Sequence, residues 1–283
     1  MSAKPELVGV AERVAIQLGF ENVSFCGKGA FKETYRVEDK NGNAVALKLV
    51  DRTKIDFART EREITALKRC DSPRIAKLLD VKTFQAPDKR VFDIVLEEFF
   101  DGGSLEDNLK IANLTKEQVV HLATGLILAV RDLYPLQLVH RDIKPANIMF
   151  RKGSTAPVLV DFGLVRDLSQ SSLTATWLPT GPGTPFYASP EQLNNDKAMI
   201  DWRSDQFSIG VVISHLLTGQ HPYQVDSTNP NAAVVAVLER RGPTKEFQQA
   251  MQKMALPAVA KMVCAWPVQR FSDPDQVLVT LKS

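Results

Sequence analysis

The chain has 283 residues, 44% of them hydrophobic, and its 35 Lys and Arg against 33 Asp and Glu leave a net charge of +2. A chain of this length can bury a large core and lies at the size where one core tends to divide, so we expect two lobes. The near balance of charge gives no overall field toward nucleic acid or a membrane surface, and we expect neither as a partner.

The cysteines and the start of the chain bear on its location. Cys26, Cys70 and Cys264 are scattered and lack metal-ligand spacing, which favours a reducing compartment over a disulfide framework. The opening MSAKPELVGV lacks the basic and apolar segments of a signal peptide, and the window LATGLILAV is too short to span a bilayer. We therefore expect a cytoplasmic protein.

A leading helix and then a sheet are predicted for the first third of the chain. Apolar residues recur at helical spacing from Leu7 to Leu18, and Gly19 follows as a stop, which indicates an amphipathic helix within residues 1–20. Strand signals dominate from Val23 to about Leu96, with a turn at Asn41 and Gly42. One helical segment, RTEREITALKRC, interrupts them.

The pattern becomes helical after DGGSL. Thr115 and Gln118 form a capping-box signature ahead of a long apolar-periodic segment that should end before Pro135. A second strong helix is expected from about Asp205, with Gly219 as its C-terminal stop. The rest of the chain is therefore predicted to be mainly helical.

A glycine-rich stretch, FCGKGAFKETYRV, contains Gly27 and Gly29 between two strand signals. Such a hairpin lets backbone N–H groups approach phosphate oxygens, because no Cβ atom intervenes, but glycine hairpins are common and define no site alone. Lys48 follows in the strand AVALKLV, where an ammonium can neutralise phosphate charge. Its expected partner is Glu63 in the helical segment, with Glu61 as the alternative.

The stretch HRDIKPAN concentrates chemically active side chains in one short turn. Asp142 can accept a hydroxyl proton, Lys144 can stabilise charge on a transferring phosphoryl group, and Asn147 can offer an oxygen to a hard cation. Further on, VLVDFG places Asp161 at a strand end as a second oxygen ligand. Two oxygen ligands and a triphosphate suit Mg²⁺, which keeps several of its waters.

Seven features occur in the order of the protein-kinase signature set: GKGAF, VALK, Glu63, HRDIKPAN, DFG, GTPFYASPE and SDQFSIG. Over roughly residues 25–271 the chain resembles a eukaryotic-type (Hanks-type) Ser/Thr protein kinase, and GTPFYASPEQ is similar to the bacterial members. The resemblance implies a two-lobed α+β fold. We expect the amphipathic helix in 1–20, a small antiparallel-sheet N-lobe with one main helix in 21–100, and a larger, mainly helical C-lobe in 101–283.

The resemblance implies further roles for single positions. Arg141 resembles the arginine that pairs with a phosphorylated activation segment, here residues 161–191, and Asp205 resembles the buried aspartate that ties the catalytic loop to the long C-lobe helix. Thr184 resembles the threonine that contacts the catalytic aspartate and lysine. Positions of three further kinds match the family: Glu191 and Arg270 as a structural pair, Ala46 and Met149 around adenine, and Glu98 and Phe100 as hinge contacts to the base.

The activation segment contains DLSQSSLTATWLPTGPGTPFY, which is rich in hydroxyl groups. A phosphate there could form charge-assisted hydrogen bonds with Arg141 and hold the segment open. Thr180 best matches the family's regulatory position, and Thr174 and Thr176 are alternatives. Solvated loop hydroxyls without regulatory meaning are the other interpretation.

Several positions depart from the family pattern. Lys32 replaces the third glycine of the loop and Thr34 the usual valine, which leaves the nucleotide affinity open. Glu97 occupies the position before the hinge acid, where a buried carboxylate needs a partner that the sequence does not name. Cys26 is either a redox handle over the nucleotide or, as we favour, an inert strand cysteine.

These features favour an enzyme that moves the γ-phosphoryl of MgATP to a Ser or Thr hydroxyl of a protein, itself included. ATP and Mg²⁺ are the expected cofactors, and a regulatory protein docking on the leading helix is a further partner. The first alternative is a pseudokinase or scaffold with weak nucleotide binding, against which the intact Lys48, Asp142, Asn147 and Asp161 argue. The second is a small-molecule phosphotransferase, against which Lys144 and GTPFYASPE argue.

Overall fold

The structure is a computed structural model that describes residues 4–29, 32–53, 61, 64–65, 67–162, 166–167, 184–224 and 229–282. The chain divides into two compact units, Met1–Asp101 and Gly102–Ser283. The division lies one residue beyond the predicted boundary between lobes. The first unit carries a sheet and the second is mainly helical, which confirms the α+β class.

The first unit contains a five-stranded antiparallel sheet in the order β1-β2-β3-β5-β4. Helical backbone occurs at residues 61, 64–65 and 67–69, between β3 and β4, as the segment RTEREITALKRC predicted. Because β5 pairs with β3, the last strand in sequence lies inside the sheet and β4 forms its edge. The strands are β1 Glu21–Lys28, β2 Lys32–Glu38, β3 Ala44–Asp51, β4 Leu78–Gln85 and β5 Val91–Glu98.

The leading helix, α1 (Val8–Leu18), covers one face of this sheet. Its buried residues Ala11, Val14 and Ala15 join a core cluster with sheet residues such as Tyr35 and Leu47. Gly19 ends the helix with a φ of 76°, in the left-handed region where a glycine avoids steric strain. Residues 1–20 were predicted as an amphipathic helix that packs on the body of the protein. The described part, α1, belongs to the first unit, because its apolar stripe completes the core of the sheet.

Glu33 in β2 fastens the chain ahead of α1 to the glycine-rich hairpin. The buried carboxylate accepts hydrogen bonds from the backbone N–H groups of Glu6 and Leu7 at 2.9–3.1 Å and from the Tyr35 hydroxyl at 2.6 Å. Burial alone would raise the pKa of Glu33, but these hydrogen bonds outweigh it and hold the pKa below its usual value. Helix α1 has no side-chain cap of its own, so this carboxylate serves its amino end from another element.

The second unit is built around two long helices, α3 (Lys116–Leu133) and α6 (Trp202–Thr218), which pack against each other. The shorter helices are α2 Leu105–Leu109, α4 Thr184–Tyr187, α5 Pro190–Leu193, α7 Pro230–Leu238, α8 Lys245–Lys253, α9 Pro257–Met262 and α10 Pro274–Lys282. Two small antiparallel ladders pair β6 (Leu138–Val139) with β9 (Arg166–Asp167), and β7 (Ile148–Phe150) with β8 (Pro157–Leu159).

The sequence signals for both long helices are confirmed. Thr115 accepts from the Gln118 N–H while the Gln118 side chain accepts from the Thr115 N–H, as a capping box requires. Gly219 ends α6 with a φ of 69°. By length and hydropathy Lys116–Leu136 could cross a membrane, but α3 is packed between α6 and α10, as expected of a core helix.

Candidate active site

Lys48 and Glu97 form a buried ion pair in the first unit. Cross-strand pairing sets Ala46 opposite Glu97 and Lys48 opposite Val95, so Lys48 and Glu97 are diagonal neighbours on one face of the sheet. The Lys48 Nζ lies 2.6 Å from the Glu97 Oε2, and the two side chains are 8% and 2% exposed. The opposite face, with Leu47, packs under α1.

This pair supplies the partner that the sequence did not name for Glu97. It also gives Lys48 a different carboxylate from the expected Glu63. Glu63 lies outside the described residues, so its pairing with Lys48 stays a prediction. For the part of the chain that is described, the sheet itself provides the counter-charge.

The glycine-rich hairpin leaves its backbone accessible. Among the described residues, a Cβ atom on Gly27 would meet nothing within 4 Å, and one on Gly29 would meet Lys32 only at ordinary contact distance, 3.7 Å. Packing against the described residues therefore does not require glycine at either position, and a ligand approaching the backbone is a reason for it. Residues 30–31, the tip of the hairpin, lie outside the described residues.

Cys26 lies on β1 next to this hairpin as an exposed free cysteine. Desolvation by neighbouring atoms raises the pKa of its thiol above the usual value. A raised pKa reduces the thiolate fraction, so the inert interpretation is the better supported one.

The expected hinge positions lie at the end of the first unit. The Glu98 N–H donates to the carbonyl of Lys77 at 2.9 Å, so this N–H is already used within the sheet. Phe100 is buried at 4% exposure. Ala46 belongs to the first unit and Met149 to the second, and their predicted joint contact with adenine stays a prediction.

Asp142, Lys144 and Asn147 converge in the second unit. The Lys144 Nζ lies 2.9 Å from the Asp142 Oδ2, and the Asn147 Nδ2 donates to the same oxygen at 2.9 Å and to the Asp142 carbonyl at 2.8 Å. A 3-10 turn, Pro145–Asn147, brings the amide back to the carboxylate. Of the four residues predicted to act in this unit, Lys144 and Asn147 thus both contact the carboxylate of a third, Asp142.

Helix α6 anchors this loop through Asp205. The fully buried carboxylate accepts from the backbone N–H groups of His140 and Arg141, each at 2.8 Å. Arg141 has a φ of 71°, a left-handed conformation that costs a non-glycine residue energy and that the surroundings must impose. From the other side, the Gln192 Nε2 in α5 donates to the Arg141 carbonyl at 2.8 Å.

The segment before Asp161 is tied to the same loop. The His140 Nε2 lies 3.0 Å from the Val160 carbonyl, and the Val160 N–H donates to the Asn147 carbonyl at 3.1 Å. The His140 ring also packs on Phe162, with centroids 4.7 Å apart. Asp161 lies between Val160 and Phe162, which both contact His140. Its φ is 71°, so its backbone is also in the left-handed region.

Burial governs the ionisation of the loop. It raises the pKa of Asp142 above the usual value, while Lys144 and Asn147 act in the opposite direction. Burial also lowers the pKa of His140, so its imidazole is neutral at pH 7 and its Nε2–H can donate to the Val160 carbonyl. Asp142 therefore binds a proton more readily than an exposed aspartate, which suits a group that accepts one.

The donor set in this loop fits a magnesium ion. The Asn147 amide nitrogen is engaged with Asp142, which leaves the amide oxygen for a cation, and Asp161 adds a carboxylate on a neighbouring segment. Among the described residues no group of three or more His, Cys, Asp and Glu lies together. An amide oxygen and one carboxylate match the sparse protein ligation that Mg²⁺ accepts.

Glu191 and Arg270 form a buried ion pair behind the loop. The Arg270 guanidinium lies 2.7 Å from Glu191 Oε1, and both side chains are 0% exposed. Ser204 also donates to Glu191, and Arg270 lies over the Phe207 ring. Burial would raise the pKa of Glu191, but Arg270 outweighs it and the pKa is lowered. The structure thus brings the two predicted partners together.

Several predicted regulatory positions are not described. Thr174, Thr176 and Thr180 lie outside the described residues. The backbone of Thr184 begins α4, but its side chain is also outside them, so its contact with the catalytic residues stays a prediction.

Motif reasoning did not identify His140, Gln192 or the pairing of Glu97. His140 and Gln192 stand inside HRDIKPAN and SPEQ, yet their contacts span 20 and 51 residues of sequence. No local signal indicates such contacts. The pairing of Glu97 with Lys48 follows from the register between β3 and β5. It could have been predicted only if these two strands had been known to be neighbours.

Comparison with known proteins identifies relatives over nearly the whole chain. The family model described as protein kinase domain matches residues 20–280. The probable serine/threonine-protein kinase PknB of Lactococcus lactis is 29% identical over 89% of this chain and 40% of its own length. Serine/threonine-protein kinase pkn3 of Myxococcus xanthus is 30% identical over 83% of this chain and 45% of its own length. The chain spans less than half the length of these relatives, and the predicted bacterial resemblance is confirmed.

Proposed function

Because the chain belongs to the protein kinase domain family, we propose that it is an ATP-dependent serine/threonine protein kinase. It transfers the γ-phosphoryl of MgATP to Ser or Thr hydroxyls of proteins, itself included. The family match over residues 20–280 and relatives named as serine/threonine-protein kinases support this proposal. The observation that carries it is the Asp142 carboxylate, held by Lys144 and Asn147 in a loop fastened to Asp205.

Asp142 orients the substrate hydroxyl and accepts its proton. As the hydroxyl oxygen bonds to the γ-phosphorus, the bond from that phosphorus to the oxygen of ADP breaks, and the proton passes to the carboxylate. Lys144, 2.9 Å from the same carboxylate, is placed to offset negative charge on the transferring group. Proton acceptance and positioning each contribute about 10²-fold or more.

Asn147 and Asp161 would hold Mg²⁺ through one amide oxygen and one carboxylate. Bound there, the ion neutralises charge on the nucleotide phosphates. In the first unit, Lys48 supplies a fixed ammonium for phosphate oxygens. Gly27 and Gly29 have no Cβ atom, so a phosphate can come close to the hairpin backbone there.

We further propose that the protein acts in the cytoplasm and is regulated through its activation segment. Phosphorylation at Thr180, with Thr174 or Thr176 as alternatives, would add a charge for Arg141 to bind. Replacing Thr180 by alanine should then lower activity, and treatment with a phosphatase should lower that of the wild type. Unchanged activity in both experiments would contradict this regulatory proposal.

The catalytic proposal is tested by incubating the protein with γ-labelled MgATP and Ser- and Thr-containing peptides. We compare the wild type with Asp142→Asn, Lys48→Met and a control, Asp88→Asn, an exposed aspartate in the turn between β4 and β5. The wild type and the control should label the peptides and the chain on Ser and Thr. Asp142→Asn should lose about 10²-fold or more in turnover while still binding nucleotide.

Equal labelling by all four proteins would overturn the proposal, because the transfer would not depend on the site. Binding of nucleotide without any labelling by the wild type would also overturn it, in favour of a scaffold.

A further inference from the structure

We propose that Glu97 is the positioning residue through which the sheet holds the Lys48 ammonium for phosphoryl transfer. The inference rests on the proposed kinase function, and it goes beyond that function by giving the lysine a counter-charge on a neighbouring strand. Glu63 was the expected partner. Glu63 lies outside the described residues, and among those described the geometry points to Glu97.

The contact between the two residues is short and buried. The Lys48 Nζ lies 2.6 Å from the Glu97 Oε2, a short distance that indicates a charge-assisted hydrogen bond. Both residues rank among the buried charged groups of the chain, at 6% and 2% exposure. Solvent therefore screens this pair far less than an exposed pair such as Lys110 with Asp107, whose side chains are 68% and 62% exposed.

Strand register fixes where the two side chains can reach. Ala46 faces Glu97 and Lys48 faces Val95, so Lys48 and Glu97 are separated by one diagonal step on adjacent, hydrogen-bonded strands. β3 and β5 are both interior strands of the sheet, with neighbours on each side. The backbone of Glu97 is therefore fixed by sheet pairing on both of its sides.

The pairing leaves the lysine able to act. An ammonium has three N–H donors, and Glu97 needs one of them, so two remain for phosphate oxygens. Removing one partner of a buried ion pair leaves the other charge buried without compensation, which is unfavourable unless that side chain moves. Without Glu97, the long Lys48 side chain regains rotamer freedom and its ammonium is no longer held at one position.

The central variant is Glu97→Gln, which keeps the shape of the side chain and removes its charge. We expect kcat/KM for MgATP to fall about 10²-fold, because displacement of a catalytic group by about 1 Å has that effect. Most of the loss should appear in kcat, since the ammonium matters most where charge develops during transfer. Glu97→Asp keeps the charge on a shorter side chain and should recover part of the loss.

A matched control is a second buried carboxylate on β5. Asp93 in β5 pairs with Arg52, next to β3, at 2.6 Å, and its side chain is 3% exposed. Asp93→Asn removes a similarly buried carboxylate away from Lys48, so it reports loss of stability alone. Its kcat/KM should stay near that of the wild type at a temperature where circular dichroism shows both proteins folded.

A double-mutant cycle separates positioning from general stabilisation. Lys48→Met removes the group that Glu97 is proposed to place, so adding Glu97→Gln should cost no further activity. Glu63→Gln is the comparison for the expected partner, and it should lose less activity than Glu97→Gln. A purely structural role for Glu97 would instead lower the residual activity of the Lys48→Met protein as well.

Three outcomes overturn the inference: wild-type activity in Glu97→Gln, higher activity in Glu97→Gln, or a larger loss in Glu63→Gln. The second outcome would mean that Glu97 keeps the Lys48 ammonium away from the nucleotide phosphates. All three require an active wild type, whereas failure of the kinase proposal removes labelling from the wild type itself. The two failures are therefore distinguishable.

Discussion

Lys48 in the first unit is held by the carboxylate of Glu97, whereas five hydrogen bonds tie the loop around Asp142 to other segments of the second unit. Among the described residues, two of these bonds go to Asp205, two link the loop with Val160, and one comes from Gln192. Within the described part of the chain, the lysine is held by one side-chain contact, and the aspartate's loop is held by a network in which every bond uses at least one backbone group.

This difference teaches where the protein is vulnerable. A group with one contact loses its placement in one substitution, while a loop with several coupled contacts keeps part of its placement when one bond is removed. The loop also holds Arg141 and Asp161 in left-handed conformations, which a network of several bonds can enforce and a single contact cannot.

The largest expected effect comes from Asp205→Ala, which removes two of the five bonds at once. Each stranded, buried N–H group costs about 1–3 kcal/mol, and the loop should lose the alignment of Asp142. We expect kcat to fall about 10²-fold or more, together with a lower free energy of unfolding in urea. Asp205→Asn retains one acceptor oxygen and should lie between this variant and the wild type; a normal kcat in Asp205→Ala would refute the network.

The next effect concerns the Glu191–Arg270 pair, which should support the loop through folding stability. Glu191→Ala leaves a guanidinium of 0% exposure without its counter-charge, so the free energy of unfolding should fall by about 3–5 kcal/mol. Chemical denaturation measures this change. Replacing both partners, as Glu191→Leu with Arg270→Met, should recover part of the loss, and a double variant less stable than Glu191→Ala would contradict this account.

A third test uses pH to examine the carboxylate of Asp142. Burial raises its pKa and Lys144 lowers it, and the carboxylate must be ionised to accept a proton. Activity should therefore be lost as pH falls through this raised pKa. In Lys144→Met the lowering influence is gone, so the acid limb of kcat/KM should move to higher pH. A limb that stays at the same pH or moves to lower pH would contradict this action of Lys144 on Asp142.

The smallest effect serves as a baseline away from both halves of the site. Thr115→Ala removes the capping box of α3 and should cost about 1 kcal/mol in the free energy of unfolding. Because this cap contacts no residue of the loop, kcat should not change at a temperature where the protein is folded. A drop in kcat comparable with that of Asp205→Ala would mean that activity follows global stability rather than local anchoring.

The parts of the fold that the sequence predicted are those with local causes. Thr115 and Gln118 are three residues apart, and Gly219 directly follows its helix, so each signal lies beside its effect. The candidate residues of the loop were recognised through their motif and its family resemblance. Periodicity and spacing alone would not have connected His140 to Asp205, 65 residues away.

The parts that escaped prediction depend on strand order and on backbone groups. Lys48 and Glu97 are 49 residues apart, and they meet only because β5 rather than β4 lies beside β3. The bonds from Glu6 and Leu7 to Glu33 use main-chain donors, which every residue type has, so no side-chain pattern indicates them.

The hydrogen bonds from the Glu6 and Leu7 backbone to the Glu33 carboxylate determine how a pulling force enters the first unit. A pulling force on the chain ahead of Glu6 passes through the Glu33 carboxylate into β2, directly beside the glycine-rich hairpin, before it reaches the packed turns of α1. Lys28, on the other strand of that hairpin, shares the load through its ion pair with Glu6. If the protein is immobilised through the chain ahead of Glu6, the attachment would therefore strain the hairpin first. A flexible spacer between the surface and this part of the chain would reduce that strain.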